Sequence, residues 1–454
     1  MPTINSTLSI AKSALLTQQG TMNTTSDNVA NVNTEGYARR RADLQSGSTI
    51  REANLLFGSG VDIDSITGAR DEFLERQLRN ALGENGWAET DQNQLQMLEE
   101  LFGEYGVSAL GNAMDGFWNA WHDLSAQPES NYTRTALVEA AQALVDRFKS
   151  LDRDITEQTD RVNDEISARV ERVNEITREL AEMNRALADP RQNPPELEDR
   201  RTVLLDELSS LTGAYYQIEE NGTHSVFLDG AALVMGENVL TIGVDHNSDG
   251  EASLFIVEAP SRDFDIRNGE IGSLFNVRDD ELVEIRERLD DLASTLASGV
   301  NDIHRTGYGL DGSTGNSFFN NETTGISDIA LSTTILDDVT KIAASSNGQN
   351  GNNEIALAII ELENSRTMNG SSNTFNEAYS DLATWLGVRS SNAQIQAEST
   401  QLSLDQFNAW RDSVSGVSLD EEMAEMLRYQ NAFNAAAKVL TTVDDMMATV
   451  IGLV

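Results

Sequence analysis

Gly307, Gly309 and Gly312 stand in the G-x-G-x-x-G spacing that lets a backbone wrap a dinucleotide pyrophosphate. That chemistry needs a strand before the glycines and a helix after them. Here a helical pattern precedes them and none opens behind, so they read as a helix cap followed by a turn. Asp245, Asn247, Asp249 and Gly250 follow the first half of a calcium loop, yet the position that must supply the bidentate carboxylate is Ile256. A hairpin turn accounts for them.

Other reactive types give no site either. His122, His224, His246 and His304 are scattered, with no second histidine at ligand spacing, and cysteine is absent. No metal site, no cofactor and no catalytic residue are expected. Carboxylate neighbours such as Glu99 and Glu100 could serve glycosidic hydrolysis only if an apolar pocket raised one pKa, and among 74 acidic residues a solvated face is expected instead. No G-x-S-x-G nucleophile elbow occurs. Phe117, Trp118 and Trp121 share one helical face and read as core rather than as a ligand groove. Arg39, Arg40 and Arg41 form a basic run too short for nucleic acid, which is expected to pair with the acidic body of this protein or of a neighbour.

The charge balance supports that choice. With 32 basic and 74 acidic residues the formal charge is −42, and only Lys12, Lys149, Lys341 and Lys438 are lysines. Such a surface repels phosphate, so nucleic acid and anionic membranes are poor partners. The excess reads as solubility or as adaptation to high salt, where screening shortens repulsion. No apolar run is long enough for membrane insertion, and MPTINSTLSIAKSALLTQQG lacks the pattern of a cleaved signal peptide. The chain is expected to stay inside, or to leave by a machine that reads an uncleaved segment.

The elements that could position a function are helices. Ile4, Leu8, Ala11, Leu15, Met22, Val29 and Val32 recur in steps of three and four, and Gly36 supplies a stop. The far end mirrors this with Leu419, Met423, Met426, Phe433, Ala437, Leu440, Met447, Ile451 and Val454. Both termini therefore ask for a helical partner. Between them, stripes from Ile155 to Leu187, closed by Asp189 and Pro190, and from Leu282 to Ile303 predict long bundle helices. His304 and Arg305 fall at the negative end of the second helix dipole, with Gly307 able to cap. From Tyr215 to about Ile271, β-prone runs alternate around Asn221-Gly222, Asp229-Gly230 and Asp249-Gly250, which are hairpin signals. The segment is entered through Pro194-Pro195. Gly307 to Thr324 and Ser345 to Asn353 read as surface loops.

The expected fold is mainly α and multi-domain. Residues 1–40 with 415–454 form an inner coiled-coil domain of paired terminal helices. Residues 41–195 with 275–414 form a helical bundle domain, and 196–274 a small inserted β-rich outer domain.

The segment from Thr25 to Tyr37, TTSDNVANVNTEGY, resembles the N-terminal signature of flagellar axial proteins. Four further stretches are similar to the first hook-associated family of the hook-filament junction, the FlgK type. They are Leu124–Pro128 with Ala140–Phe148, then Leu197–Ser209, then Val300–Gly312, and finally Ser415–Glu422 with Arg428–Gln430 and Ala436–Leu440. The resemblance implies an extracellular structural protein, not an enzyme, that polymerises between hook and filament and lacks the extra outer domain of longer relatives. It implies as partners further copies of itself, the hook protein, the second junction protein, an export chaperone and the flagellar type III export apparatus. Another axial subunit, the second junction protein or a filament subunit, is the alternative, and a secreted acidic wall hydrolase a more distant one. Marginal terminal helices are expected to be mobile in the exported monomer and to order on assembly. The residues expected to carry assembly are Leu8, Leu15, Met22, Val29, Asn31, Gly36, Tyr37, Met423, Met426, Phe433, Leu440, Met447 and Ile451.

Overall fold

The computed structural model describes residues 4–52, 55–102, 108–187, 195–219, 222–247 and 251–452. Asp189, Pro190, Pro194, Asn221, Asp249, Gly250 and Val454, named above, lie outside them. The chain is predominantly helical. Its long helices are α1 (Ile4–Ala30), α2 (Glu72–Phe102), α3 (Ser108–Ala126), α4 (Asn131–Leu187) and α5 (Pro195–Thr212) in the first half. The second half adds α6 (Gly269–Asn276), α7 (Leu282–His304), the short α8 (Thr333–Asp337), α9 (Glu354–Asn364), α10 (Phe375–Ser415) and α11 (Leu419–Ile451).

Two compact units result. The terminal unit takes Met1–Asn85, Val173–Thr241 and Thr400–Val454; the second takes Gly86–Arg172 and Ile242–Ser399. The strands predicted near residues 215–271 divide between them. In the terminal unit β5 (Tyr215–Ile218), β6 (His224–Leu228), β7 (Ala231–Met235) and β8 (Asn238–Val239) form an antiparallel sheet in sequence order. In the second, β9 (Ile242–His246), β10 (Ala252–Ile256) and β11 (Ala259–Asp263) form a meander. The β6–β7 turn carries positive φ at Asp229 and Gly230, 46° and 68°, as a tight hairpin requires.

The terminal unit holds strands that the sequence reading did not anticipate. Arg40–Ser46 (β1) pairs antiparallel with Val61–Gly68 (β4), and Ile50–Glu52 (β2) with Leu55–Phe57 (β3). The alternation of Val61, Asp62, Ile63 and Asp64 has the period of two that a strand needs. Its signal is weak because β4 presents most of its side chains to solvent.

Helix α4 runs 57 residues because nothing in it breaks a helix: it contains neither glycine nor proline. Within the second unit its face at Leu137, Leu144, Phe148, Leu151, Ile155, Val162 and Ile166 is buried. Asn163 fastens β10 to it, its Oδ1 accepting from the Ala252 N–H at 3.1 Å and from Arg278 at 3.0 Å. Helix α7 buries the predicted stripe from Leu282 to Val300 and half-buries its last member, Ile303.

Phe117, Trp118 and Trp121 are core, as their spacing implied. They meet Phe318, Phe319 and Phe375, with Trp121 and Phe318 ring centroids 5.3 Å apart and Phe117 and Phe319 5.8 Å apart. The reading of Gly307–Thr324 as surface loop fails here: Phe318 and Phe319 are fully buried. The cause is a backbone clamp from α7. Asn301 Oδ1 accepts the N–H groups of Phe318 and Phe319 at 2.8 and 2.9 Å, and its Nδ2 donates to the Phe319 carbonyl at 3.1 Å. One turn on, His304 Nδ1 donates to the Asn316 carbonyl at 2.7 Å and Nε2 accepts the Ala343 N–H at 2.8 Å.

His304 is therefore a neutral, fully buried link and not a charge on the helix dipole. Burial, then the nearby Arg134, lowers its pKa to about 4, against the Asn316 hydrogen bond. Gly307 lacks the left-handed φ of a cap; it is required by packing, since a Cβ there would meet Ile355 and Ala343 within 2.9 Å.

Candidate assembly surface and the turn that holds it

Helix α1 has two occupied sides. One lies on β4: Thr17 Oγ1 donates to the Val61 carbonyl at 2.8 Å, and the Val61 N–H donates to Ser13 Oγ at 3.3 Å. The approach is close, for a Cβ at Gly20 would stand 2.4 Å from Ile63 Cδ1. The other side packs on α11, whose one extensive helical neighbour among the described residues is α1.

This pairing sorts the apolar residues of the two ends. Leu8, Leu15, Met22 and Val29 are half-buried, as are Met426, Phe433, Leu440 and Met447, and Val443 is buried among them. Met423 and Ile451 are not part of that covered face. Met423 and Leu427, the latter 61% accessible, lie on one flank of α11, while Val439, Met446 and Val450 share the other, and Ile451 is 71% accessible at its end. Leu16 on α1 is 58% accessible and Ile10 is also exposed. The sequence reading missed Leu16, Leu427, Val439, Met446 and Val450. Their signal was present in the steps of seven and four from Val439 to Met446 to Val450, but one helix cannot say which of two stripes its first partner covers. No helix among the described residues is long and apolar enough to cross a membrane.

Asn31, Gly36 and Tyr37 lie elsewhere, in the turn that leaves α1. Asn31 Nδ2 donates to the Asp27 carbonyl at 3.0 Å and its N–H to the same oxygen at 3.0 Å, closing the helix. Gly36 takes φ of 73°, and a Cβ there would stand 2.4 Å from Val203 Cγ2 and 3.0 Å from the Asp199 carbonyl oxygen. Glycine is needed there both for the left-handed backbone and for the contact with α5.

The fully enclosed member of the turn is Asn28, which accepts at Oδ1 from the Arg40 N–H and the Tyr37 hydroxyl, both at 2.8 Å. Its Nδ2 donates to the Arg40 carbonyl and to Glu422 Oε2, both at 2.9 Å. Thus one amide satisfies four groups and ties the N-terminal turn to the first turn of α11. Burial, with the Asp27 carboxylate adding to it, pushes the Tyr37 hydroxyl far above its ordinary value against the pull of Arg40, so it acts as a donor.

Two arginines complete the turn. Arg39 Nε donates to Glu422 Oε1 at 2.7 Å and Nη1 to Glu421 at 2.9 Å. Arg40, itself buried, reaches Asp27 at 2.6 Å, Glu196 at 2.7 Å and Asp199 at 3.1 Å, and its guanidinium lies 4.8 Å from the Tyr37 ring centre. Arg70 bonds the second oxygen of Asp199 at 2.6 Å and the Gly36 carbonyl at 2.9 Å. Each acid here answers a buried or half-buried cation. This is the geometry of a structural tie, with no side chain aimed at a substrate.

The residues considered for chemistry are placed by ordinary packing. His224 is buried, stacked on Tyr216, its backbone bonded both ways to Asn184. His122 and His246 are exposed. Glu99 and Glu100 are exposed on α2, Glu99 accepting from Ser390 Oγ at 2.7 Å.

Three family models match the chain. Residues 95–319 match the helical domain of the flagellar hook-associated protein FlgK, 412–453 the C-terminal region of flagellar basal body rod FlgEFG proteins, and 8–37 the flagella basal body rod protein. Flagellar hook-associated protein 1 of Bacillus subtilis is 26% identical over 500 residues, covering 98% of this chain and 97% of its own length. The same-named protein of Salmonella typhimurium is 26% identical over 70% of this chain, which spans 59% of that relative, and that of Escherichia coli 25% identical with 60% spanned. Among solved structures, the flagellar hook junction protein FlgK from Burkholderia pseudomallei shares the fold. Its TM-score is 0.69 at 15% identity, covering 75% of this chain and all of that one.

Proposed function

We infer that this chain, which belongs to the flagellar hook-associated family of the FlgK type, is a structural subunit that polymerises between hook and filament and adapts one to the other. The observation that carries the reading is the terminal helix pair. It covers one apolar stripe of α11 internally and leaves two exposed clusters, Met423 with Leu427 and Val439 with Met446 and Val450, for neighbouring copies. Grouped exposed apolar residues on a helix are a surface that a further helix can cover. On this reading the hook protein lies on one side, the second junction protein on the other, and an export chaperone covers the termini before the type III apparatus passes the chain.

The test is deletion of the gene in its source organism. Bare hooks, with flagellin shed as monomer into the medium, are the expected result. Intact filaments would overturn the assignment in favour of another axial position.

The termini are proposed to be loose in the monomer and ordered by assembly. Support comes from their exposure: α11 has a single buried apolar residue, Val443. Hydrogen exchange should show residues 419–451 exchanging at least tenfold faster in monomer than in polymer, since α11 has α1 as its one extensive helical neighbour among the described residues. Equal protection in both states would contradict this.

A further inference from the structure

Glycine inside a helix weakens it, and a fold keeps one there where a neighbour comes too close for a Cβ. Gly20 and Gly83 meet that condition, with Ile63 Cδ1 at 2.4 Å and the Ser209 carbonyl oxygen at 3.1 Å from where a Cβ would stand. Gly387, well inside α10, does not. Its backbone is helical, and a Cβ there would meet no atom of the described residues within 4 Å. No contact among them calls for glycine at this position.

The surface around Gly387 departs from the usual outward helix face. Within the second unit α10 turns Leu382, Leu386 and Ala393 to the core. Thr384, Gly387, Val388, Ser391 and Ile395 fall within an arc of about 100° on the opposite side. Val388 is 56% and Ile395 62% accessible, where charged side chains are expected. From Leu382 to Ala397 there is no Asp or Glu, although the chain has 74 acids in 454 residues. The one charge in that span, Arg389, is taken up by Glu281 at 2.6 Å and Asp91 at 3.2 Å.

Charge selects the partner. A basic body would be drawn to the acid-rich remainder of the surface. A face cleared of acids suits a body that is itself strongly acidic, and a chain of charge −42 is repelled by its own copies wherever acids face acids. We propose that the face of α10 from Thr384 to Ile395 is a close-packed helix contact with a second copy of this chain, made in the polymer. This rests on the assembly reading and adds to the terminal helices a contact made by the other unit. Gly387 lets the neighbour approach, and Val388 and Ile395 supply the apolar area beside it. Two such side chains are far too little for a standard interface, so the face strengthens the polymer without pairing free chains.

Gly387→Leu tests this. In open space on a helix the larger residue favours the fold, so the monomer should melt at or above the wild-type temperature. The same side chain holds the neighbour off, and the protein concentration needed for polymerisation should rise about tenfold or more, as overpacking at a close contact requires. Ile395 gives a second readout. Ile395→Glu should polymerise less readily than Ile395→Gln at low salt and equally at high salt, because only the glutamate adds repulsion from an acidic neighbour. Three results would overturn the contact while leaving the assembly reading intact: polymerisation of Gly387→Leu at the wild-type concentration, a Gly387→Leu monomer that melts lower, or equal behaviour of the two Ile395 variants at low salt. A wild type that stays monomeric at every concentration and salt would overturn both.

Discussion

Replacing Leu440 by Asp abolishes polymerisation and leaves the second unit folded. Leu440 lies on the covered face of α11, one turn from the buried Val443. Leu440 is half-buried, so the change removes about 1 kcal/mol of apolar burial and sets a carboxylate against α1 without a partner, at a further cost of about 1–3 kcal/mol. A summed loss of about 3 kcal/mol lowers the population of paired ends about a hundredfold. Leu15→Asp on α1 should act in the same way from the other side. Met446→Asp is the informative contrast. Its side chain is exposed on the flank it shares with Val439 and Val450, so the helix pair survives and only the contact between copies is lost. Sedimentation reads polymer, and far-ultraviolet circular dichroism reads the helices. Normal polymerisation of either Leu440→Asp or Met446→Asp would contradict the division of α11 into a covered face and exposed assembly flanks.

Acid should unfold the second unit through His304. Its pKa is about 4 in the fold against about 6.5 in an unfolded chain, so between those values the unfolded state binds more protons than the folded one. The neutral imidazole's contribution is complete above pH 6.5 and is lost as pH falls to 4, by about 3 kcal/mol. Asp91, raised to about 6 by burial against the pull of Arg389, has the opposite sign: its penalty grows as pH rises from 4 to 6. The two partly cancel in the wild type. The comparison with His304→Gln removes that ambiguity, because Asp91 is common to both. Denaturant titrations at pH 7 and pH 4 should show wild type losing about 3 kcal/mol more than the variant. An equal pH dependence would mean that the Asn316 and Ala343 hydrogen bonds tolerate the protonated ring.

What could be read in advance was whatever repeats. The stripes of α4, α7 and the two terminal helices gave the helical architecture, because a period near 3.6 survives any choice of partner. Gly36, read as a stop, marked the turn that ends α1. Partner identity was not legible. Met423 and Met426 look alike in sequence, and only the packing of α11 on α1 shows that one is exposed and the other covered. Phe318 and Phe319 sit in a glycine- and asparagine-rich stretch that reads as loop. Their burial depends on Asn301, seventeen residues upstream, whose type alone does not announce a backbone clamp. The strands β1 and β4 escaped notice because a two-stranded ribbon with solvated side chains has almost no hydrophobic pattern to read.

The bond from Asn28 to Glu422 joins residues 394 positions apart. During synthesis the N-terminal turn therefore waits for nearly the whole chain, and no nascent fragment that stops before α11 can close it. Pairing of contacts so distant in sequence is slow even in a complete chain. The adhesive end of the molecule is thus the last part that can close, a delay written into the order of its residues.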